Sequence, residues 1–153
     1  MSISLFLSPE RILFGWGSVA NVGEEALRYG NKALLVSGKT SSRASGALTA
    51  VLAALAASGI EVTLFCEVES DPSVHTIATG AALARQTGAS VVIALGGGSP
   101  LDAAKAIALM ATNPGQIGDY EKTAPTQPGL PVVAIPTTAG TGSEVTKFVV
   151  ITE

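Results

Sequence analysis

The chain has 153 residues, enough for one compact domain and not comfortably for two. Hydrophobic residues make up 47% and charged residues 14%, which excludes a disordered tail; a net charge of −3 with nine scattered Lys and Arg excludes a phosphate-tracking nucleic-acid binder. Mean hydropathy is +0.45, yet no apolar run approaches the roughly 20 residues of a spanning helix, so no membrane partner is expected.

At the start of the chain, "ISLFL" (3–7) and "RILFG" (11–15) flank Ser8-Pro9-Glu10 and predict a β-hairpin. This segment has neither a basic leader nor a small-residue cleavage site, which reads against a signal peptide. The single cysteine, Cys66, leaves no intramolecular disulfide and fits a reducing cytoplasm, packed as a small apolar residue at a strand end.

A repeated phrase then sets the architecture. "YGNKALLVSG", "SGIEVTLFC" and "TGASVVIALGGG" each pass from a glycine into a short apolar strand. Each glycine follows a helical pattern, where a left-handed C-terminal cap calls for it. Leu48, Val51, Leu52 and Leu55 recur at helical spacing between Arg43 and Ser58, and Ile77, Ala81 and Ala84 do so between Ser73 and Gln86. Asp71-Pro72-Ser73 supplies the cap of the second helix. The strands "ALLV", "VTLF", "VVIAL" and "VVAI" are continuous apolar runs, the pattern of strands buried on both faces of a parallel sheet. The predicted fold is therefore α/β, a Rossmann-like parallel sheet with flanking helices behind an N-terminal hairpin. "KFVVITE" reads as one more strand, and the stop at Glu153 reads as a cut.

The stretch "LGGGSPLDAAK" (95–105) sits at a strand-to-helix turn on the carboxyl edge of the sheet, where open α/β folds bind ligands. Ser99 is predicted as N-cap, Pro100 as the first helical residue and Asp102 as the acid of a capping box, with Lys105 neutralising Asp102 one turn on. A helix start stabilises an anion by about 0.3–1 kcal/mol, too little for a nucleotide alone. Gly96, Gly97 and Gly98 let the backbone approach a phosphate and add N–H donors, which favours anion binding over a plain tight turn. The stretch is neither a P-loop nor the G-x-G-x-x-G fingerprint, since position 101 is leucine. A second dense stretch, "AIPTTAGTGSEVTKF", interleaves Thr137, Thr138, Thr141 and Thr146 with Gly140, Gly142 and Ser143. It is either a grip for ribose and phosphate oxygens or an ordinary polar loop.

Together "GGGSPLDAAK" and "PTTAGTGSEVT" resemble the iron-containing (group III) alcohol dehydrogenases, and "FGWGSVANVG", "ALLVSGKTS" and "DPSV" extend the resemblance over essentially the whole chain. The resemblance implies hydride transfer between a primary alcohol or aldehyde and NAD or NADP. In such enzymes the N-terminal domain binds the nucleotide and a helical C-terminal domain binds Fe²⁺ or another divalent metal. It implies that Gly97, Gly98 and Ser99 hold the pyrophosphate, with Gly96 and Asp102 among the cofactor-binding residues, although the Asp102 carboxylate repels an anion unless it is paired; Thr137, Thr138 and Thr141 line the adenosine and phosphate side, and Gly142 leads toward the nicotinamide. It also implies a homodimer through the "SISLFL" edge strand.

Two departures matter. The family's metal ligands are one aspartate and three histidines of the second domain, whereas this chain has one histidine, His75, expected at the surface. Residues 1–153 are thus expected to be the NAD(P)-binding domain alone, without catalytic or metal residues, binding cofactor without turnover. Second, the position after the first βα strand, often an aspartate that repels a 2′-phosphate, is Gly38, followed by Lys39, Ser41, Ser42 and Arg43. NADP is therefore expected to be accepted. Two other readings stay open: a non-redox phosphate binder of the dehydroquinate synthase kind, against which "PTTAGTGSEVT" speaks, and a truncated self-associating module.

Overall fold

A computed structural model describes residues 8–152. Four strands, β1 (Lys32–Gly38), β2 (Glu61–Val68), β3 (Val91–Gly96) and β4 (Val132–Pro136), form a parallel sheet in the order β2-β1-β3-β4. α1 (Val22–Leu27) precedes β1, and between the strands run α2 (Ser41–Ala44), α3 (Ala47–Ala57), α4 (Val74–Thr87) and α5 (Gly98–Thr112). The expected α/β class and parallel sheet are present.

Side chains alternate across the pleat, so each central strand feeds two cores. Leu34, Val36, Val92 and Ala94 pack with Ile77, Ala81 and Ala84 of α4 and with Leu101, Ala104 and Ile107 of α5. Leu35, Val91, Ile93 and Leu95 pack on the opposite face with Val22 and Ala26 of α1 and with Leu48, Val51 and Leu55 of α3. The helical spacings read from the sequence thus fall on the buried faces of α3 and α4. Ser73 caps α4 as expected, its hydroxyl accepting the Thr76 N–H at 3.2 Å.

The continuous apolar runs mean different things in different strands. β3 is buried at all six positions and β1 from Ala33 to Ser37. β2 and β4 flank the sheet and are only partly covered, with Leu64 of β2 at 42% exposure, so an apolar run did not separate a central from a flanking strand. Gly59 and Gly88 take the expected left-handed backbone, φ 71° and 66°, while Gly30 is more extended at φ 140°. "KFVVITE" is not a strand: Thr152 makes one bridge to Ser73, and 147–151 is irregular. The first arm of the expected hairpin, 3–7, and the dimer contact assigned to it lie outside the described residues. Its second arm, Arg11–Gly15, carries no strand pairing among the described residues and is tied to α1 by a bidentate Arg11–Glu25 pair, 2.9 and 3.0 Å. Cys66 lies within β2, half-buried, not at its end. Among the described residues no helix is long and apolar enough to cross a membrane.

Two polar groups shape the loops. Asn113, 3% exposed, follows α5; its amide donates to the Leu109 and Gln127 carbonyls, and its oxygen accepts the Thr126 and Gln127 N–H groups at 3.0 Å. This one side chain organises the return from α5 to β4. After β2, Glu69 accepts the Ser73 N–H at 2.9 Å and the Thr76 hydroxyl at 2.8 Å. Burial alone would raise its carboxyl, but the Ser73 N–H, its own N–H and the Thr76 and Ser73 hydroxyls outweigh that and lower it from 4.5 to about 2.

Asn113→Ala leaves several of these backbone groups unpaired and is expected to destabilise the chain by about 1–3 kcal/mol, read as a lower urea midpoint. The lowered Glu69 carboxyl stabilises the fold above its unfolded value of 4.5, and that contribution is lost as pH falls toward 2. Glu69→Gln should therefore lie below the wild type in urea midpoint at neutral pH, with the gap closing as pH falls through the same window.

Candidate nucleotide site

The chain goes from β1 to β2 on one side, then crosses to β3 on the other, so the strand order reverses between β1 and β3. A crevice opens there at the carboxyl ends, where α/β sheets take ligands. Ser37 pairs with Leu95, which brings the next residues, Gly38 and Gly96, to the mouth side by side.

Gly96 has φ 145°, and a Cβ there would stand 2.8 Å from Pro100 Cγ, so a side chain is excluded both by backbone and by contact. Gly97 is the N-cap and α5 begins at Gly98, two residues earlier than the sequence predicted. Ser99 is inside the helix, and its hydroxyl accepts the Asp71 N–H at 3.4 Å instead of capping α5. The predicted Ser99–Asp102 box does not form. The tight exit from β3 leaves no room for a longer loop, and glycine serves as the cap. Gly98 and Ser99 begin the helix with N–H groups that have no partner one turn back, and Pro100 contributes none.

The two glycine- and threonine-rich stretches meet across this turn. The Thr137 N–H donates to the Gly96 carbonyl at 2.9 Å. A Cβ on Gly97 would lie 3.1 Å from Thr138 Oγ1, and one on Gly98 would lie 3.6 Å from Ser143 Oγ and 3.8 Å from Thr141 Cβ. Bare backbone thus faces three hydroxyl-bearing residues, a surface suited to phosphate oxygens. Thr137, Thr138, Thr141 and Gly142 belong to one exposed loop after β4, with Gly142 in left-handed backbone at φ 69°. Ser143, read from the sequence only as part of the second dense stretch, and Asp71, read only as part of a helix cap, join this constellation through contacts that sequence spacing does not encode.

Asp102 faces elsewhere. It is 8% exposed; one carboxylate oxygen pairs with Lys105 at 3.0 Å, as predicted, and the other accepts the Val150 N–H at 3.0 Å. At the other wall, a Cβ on Gly38 would make only ordinary contacts, 3.7 Å to Pro100 Cγ and to the Val68 carbonyl, so a side chain fits there. Lys39, Ser41 and Arg43 are exposed just beyond, whereas Ser42 is 1% exposed and its hydroxyl has no partner. The residues present suit a dinucleotide's phosphates. Among the described residues no three His, Cys, Asp or Glu come together as a metal-holding group, and His75 is exposed on α4.

Known proteins resemble this chain in sequence and in fold. The sequence model of iron-containing alcohol dehydrogenases matches residues 9–153. An NADPH-dependent butanol dehydrogenase of Clostridium saccharobutylicum is 43% identical over 152 residues, 97% of this chain and 38% of its own length. An NAD-dependent methanol dehydrogenase of Bacillus methanolicus is 36% identical over 149 residues, 97% of this chain and 39% of its own. The crystal structure of an archaeal halo-thermophilic alcohol dehydrogenase from a Red Sea brine pool superposes with a TM-score of 0.90 at 36% identity, covering 99% of this chain and 40% of that one. The chain therefore spans about two fifths of these relatives' length. Over that span the chain belongs to the iron-containing alcohol dehydrogenase family.

Proposed function

We propose that residues 1–153 are the nucleotide-binding domain of an NAD(P)-dependent alcohol dehydrogenase whose metal-binding residues lie in a separate helical domain. The observation that carries this reading is the bare backbone of Gly97 and Gly98 facing Thr138, Thr141 and Ser143. When bound, the nicotinamide takes up or gives the hydride that interconverts a primary alcohol and its aldehyde. This chain's own part is to bind and orient. Gly96, Gly97, Gly98 and Ser99 seat the pyrophosphate through free N–H groups and the positive end of α5. Thr137, Thr138 and Thr141 bond sugar and phosphate oxygens, and Gly142 keeps the path to the nicotinamide clear. The metal of the family name is held outside these residues, so the chain binds nucleotide without turning over alcohol.

Gly38 sets the cofactor. No carboxylate stands there to repel a 2′-phosphate, and Lys39, Ser41 and Arg43 follow it on the exposed side. NADPH is accepted on this reading, as the butanol dehydrogenase's name states for that relative. Fluorescence titration of the chain should show NADPH binding at least as tightly as NADH. Gly38→Asp, which the local space allows, should shift the NADPH/NADH affinity ratio toward NADH by about 10-fold or more through like-charge repulsion. Tighter binding of NADH by the wild type would overturn the cofactor assignment.

A further inference from the structure

Little apolar burial holds the threonine loop in place. Residues 137–141 and 145–148 are exposed, and a cavity of about 260 Å³ separates Leu101, Val132 and Ala134 from residues 143–147. What fastens the loop is polar and sits at its two ends. At the front is the bond from Thr137 to the Gly96 carbonyl. At the back, the Lys105 ammonium donates to the Thr146 carbonyl at 3.2 Å and to the Phe148 carbonyl, while Asp102 pairs with Lys105 and accepts the Val150 N–H. The two side chains are 17% and 11% exposed.

Both fastenings belong to β3 and α5, the unit that also carries the glycine turn. The loop is thus anchored at both ends to the wall it faces, which fixes the spacing between Thr138, Thr141 and Ser143 on one side and Gly97 and Gly98 on the other. An ammonium has three donors, enough for two carbonyls and a carboxylate, and no neutral side chain of that length can replace it. We propose that Lys105, oriented by Asp102, is the positioning residue that holds the Thr137–Ser143 loop against the glycine turn and thereby sets the affinity for the dinucleotide. The proposal rests on the nucleotide-binding reading above. A loop released from this clamp must be ordered when the nucleotide arrives, and that cost appears as weaker binding.

Trypsin reads the clamp without any nucleotide, because Lys147 is exposed and lies between the two carbonyls that Lys105 holds. Lys105→Met should be cut after Lys147 about 10-fold faster than the wild type and bind NADPH about 10-fold more weakly, with its circular dichroism unchanged. Lys105→Arg, which keeps charge and donors, should restore most of both. Asp102→Asn keeps an acceptor for Val150 but loses the counter-charge; it should fall between, and it carries the test if Lys105→Met does not fold. A folded variant with wild-type cleavage and affinity overturns the proposal, as does faster cleavage at unchanged affinity. A wild-type chain that binds neither NADPH nor NADH overturns the nucleotide reading and the affinity half of this one, and the cleavage rates then judge the clamp by themselves.

Discussion

At Gly96 the chain leaves a strand buried on both faces and enters a helix within two residues, with the ring of Pro100 set against its α-carbon. Only a residue without Cβ passes that point, and its carbonyl is the anchor for the threonine loop. The position of α5, the direction of its free N–H groups and the placement of the second loop all follow from this turn. Burial of β3 makes the turn rigid, because every residue from Val91 to Gly96 is packed and none can move to relieve it.

Local chemistry made much of this legible. The apolar runs of β1 and β3, the helical spacing of Leu48, Val51 and Leu55, and the Ser73 cap all appear where the residues placed them. The failures are instructive because each depended on a distant partner. Ser99 looked like a cap, yet its hydroxyl serves Asp71, 28 residues away; Asp102 looked like the acid of the same cap, yet it serves Val150, 48 residues away. A flanking strand and a central one share the same apolar run, and only the sheet order tells them apart. "KFVVITE" has strand composition, but side chains of α5 take its backbone groups at Phe148 and Val150 in place of a ladder.

Three carboxylates near the carboxyl edge help to hold the loops. Glu69 is occupied by Ser73 and Thr76, Asp102 by Lys105 and Val150, and Glu144 accepts the Thr141 hydroxyl at 3.3 Å. Each of these acids is thus engaged by donors of the chain itself. Carboxylates close to a bound anion would oppose it, and of these three Asp102 has a cation, Lys105, beside it to balance its charge.

Pro100 touches both walls of the crevice. Its ring lies against Gly96 and within 3.7 Å of where a side chain on Gly38 would begin. A proline ring cannot rotate out of the way as a leucine or a lysine would. Position 38 and the turn at Gly96 therefore border one stiff ring. A side chain at position 38 would meet that ring at ordinary contact distance, whereas one at position 96 would collide with it, so the ring leaves one wall free to vary and holds the other to glycine.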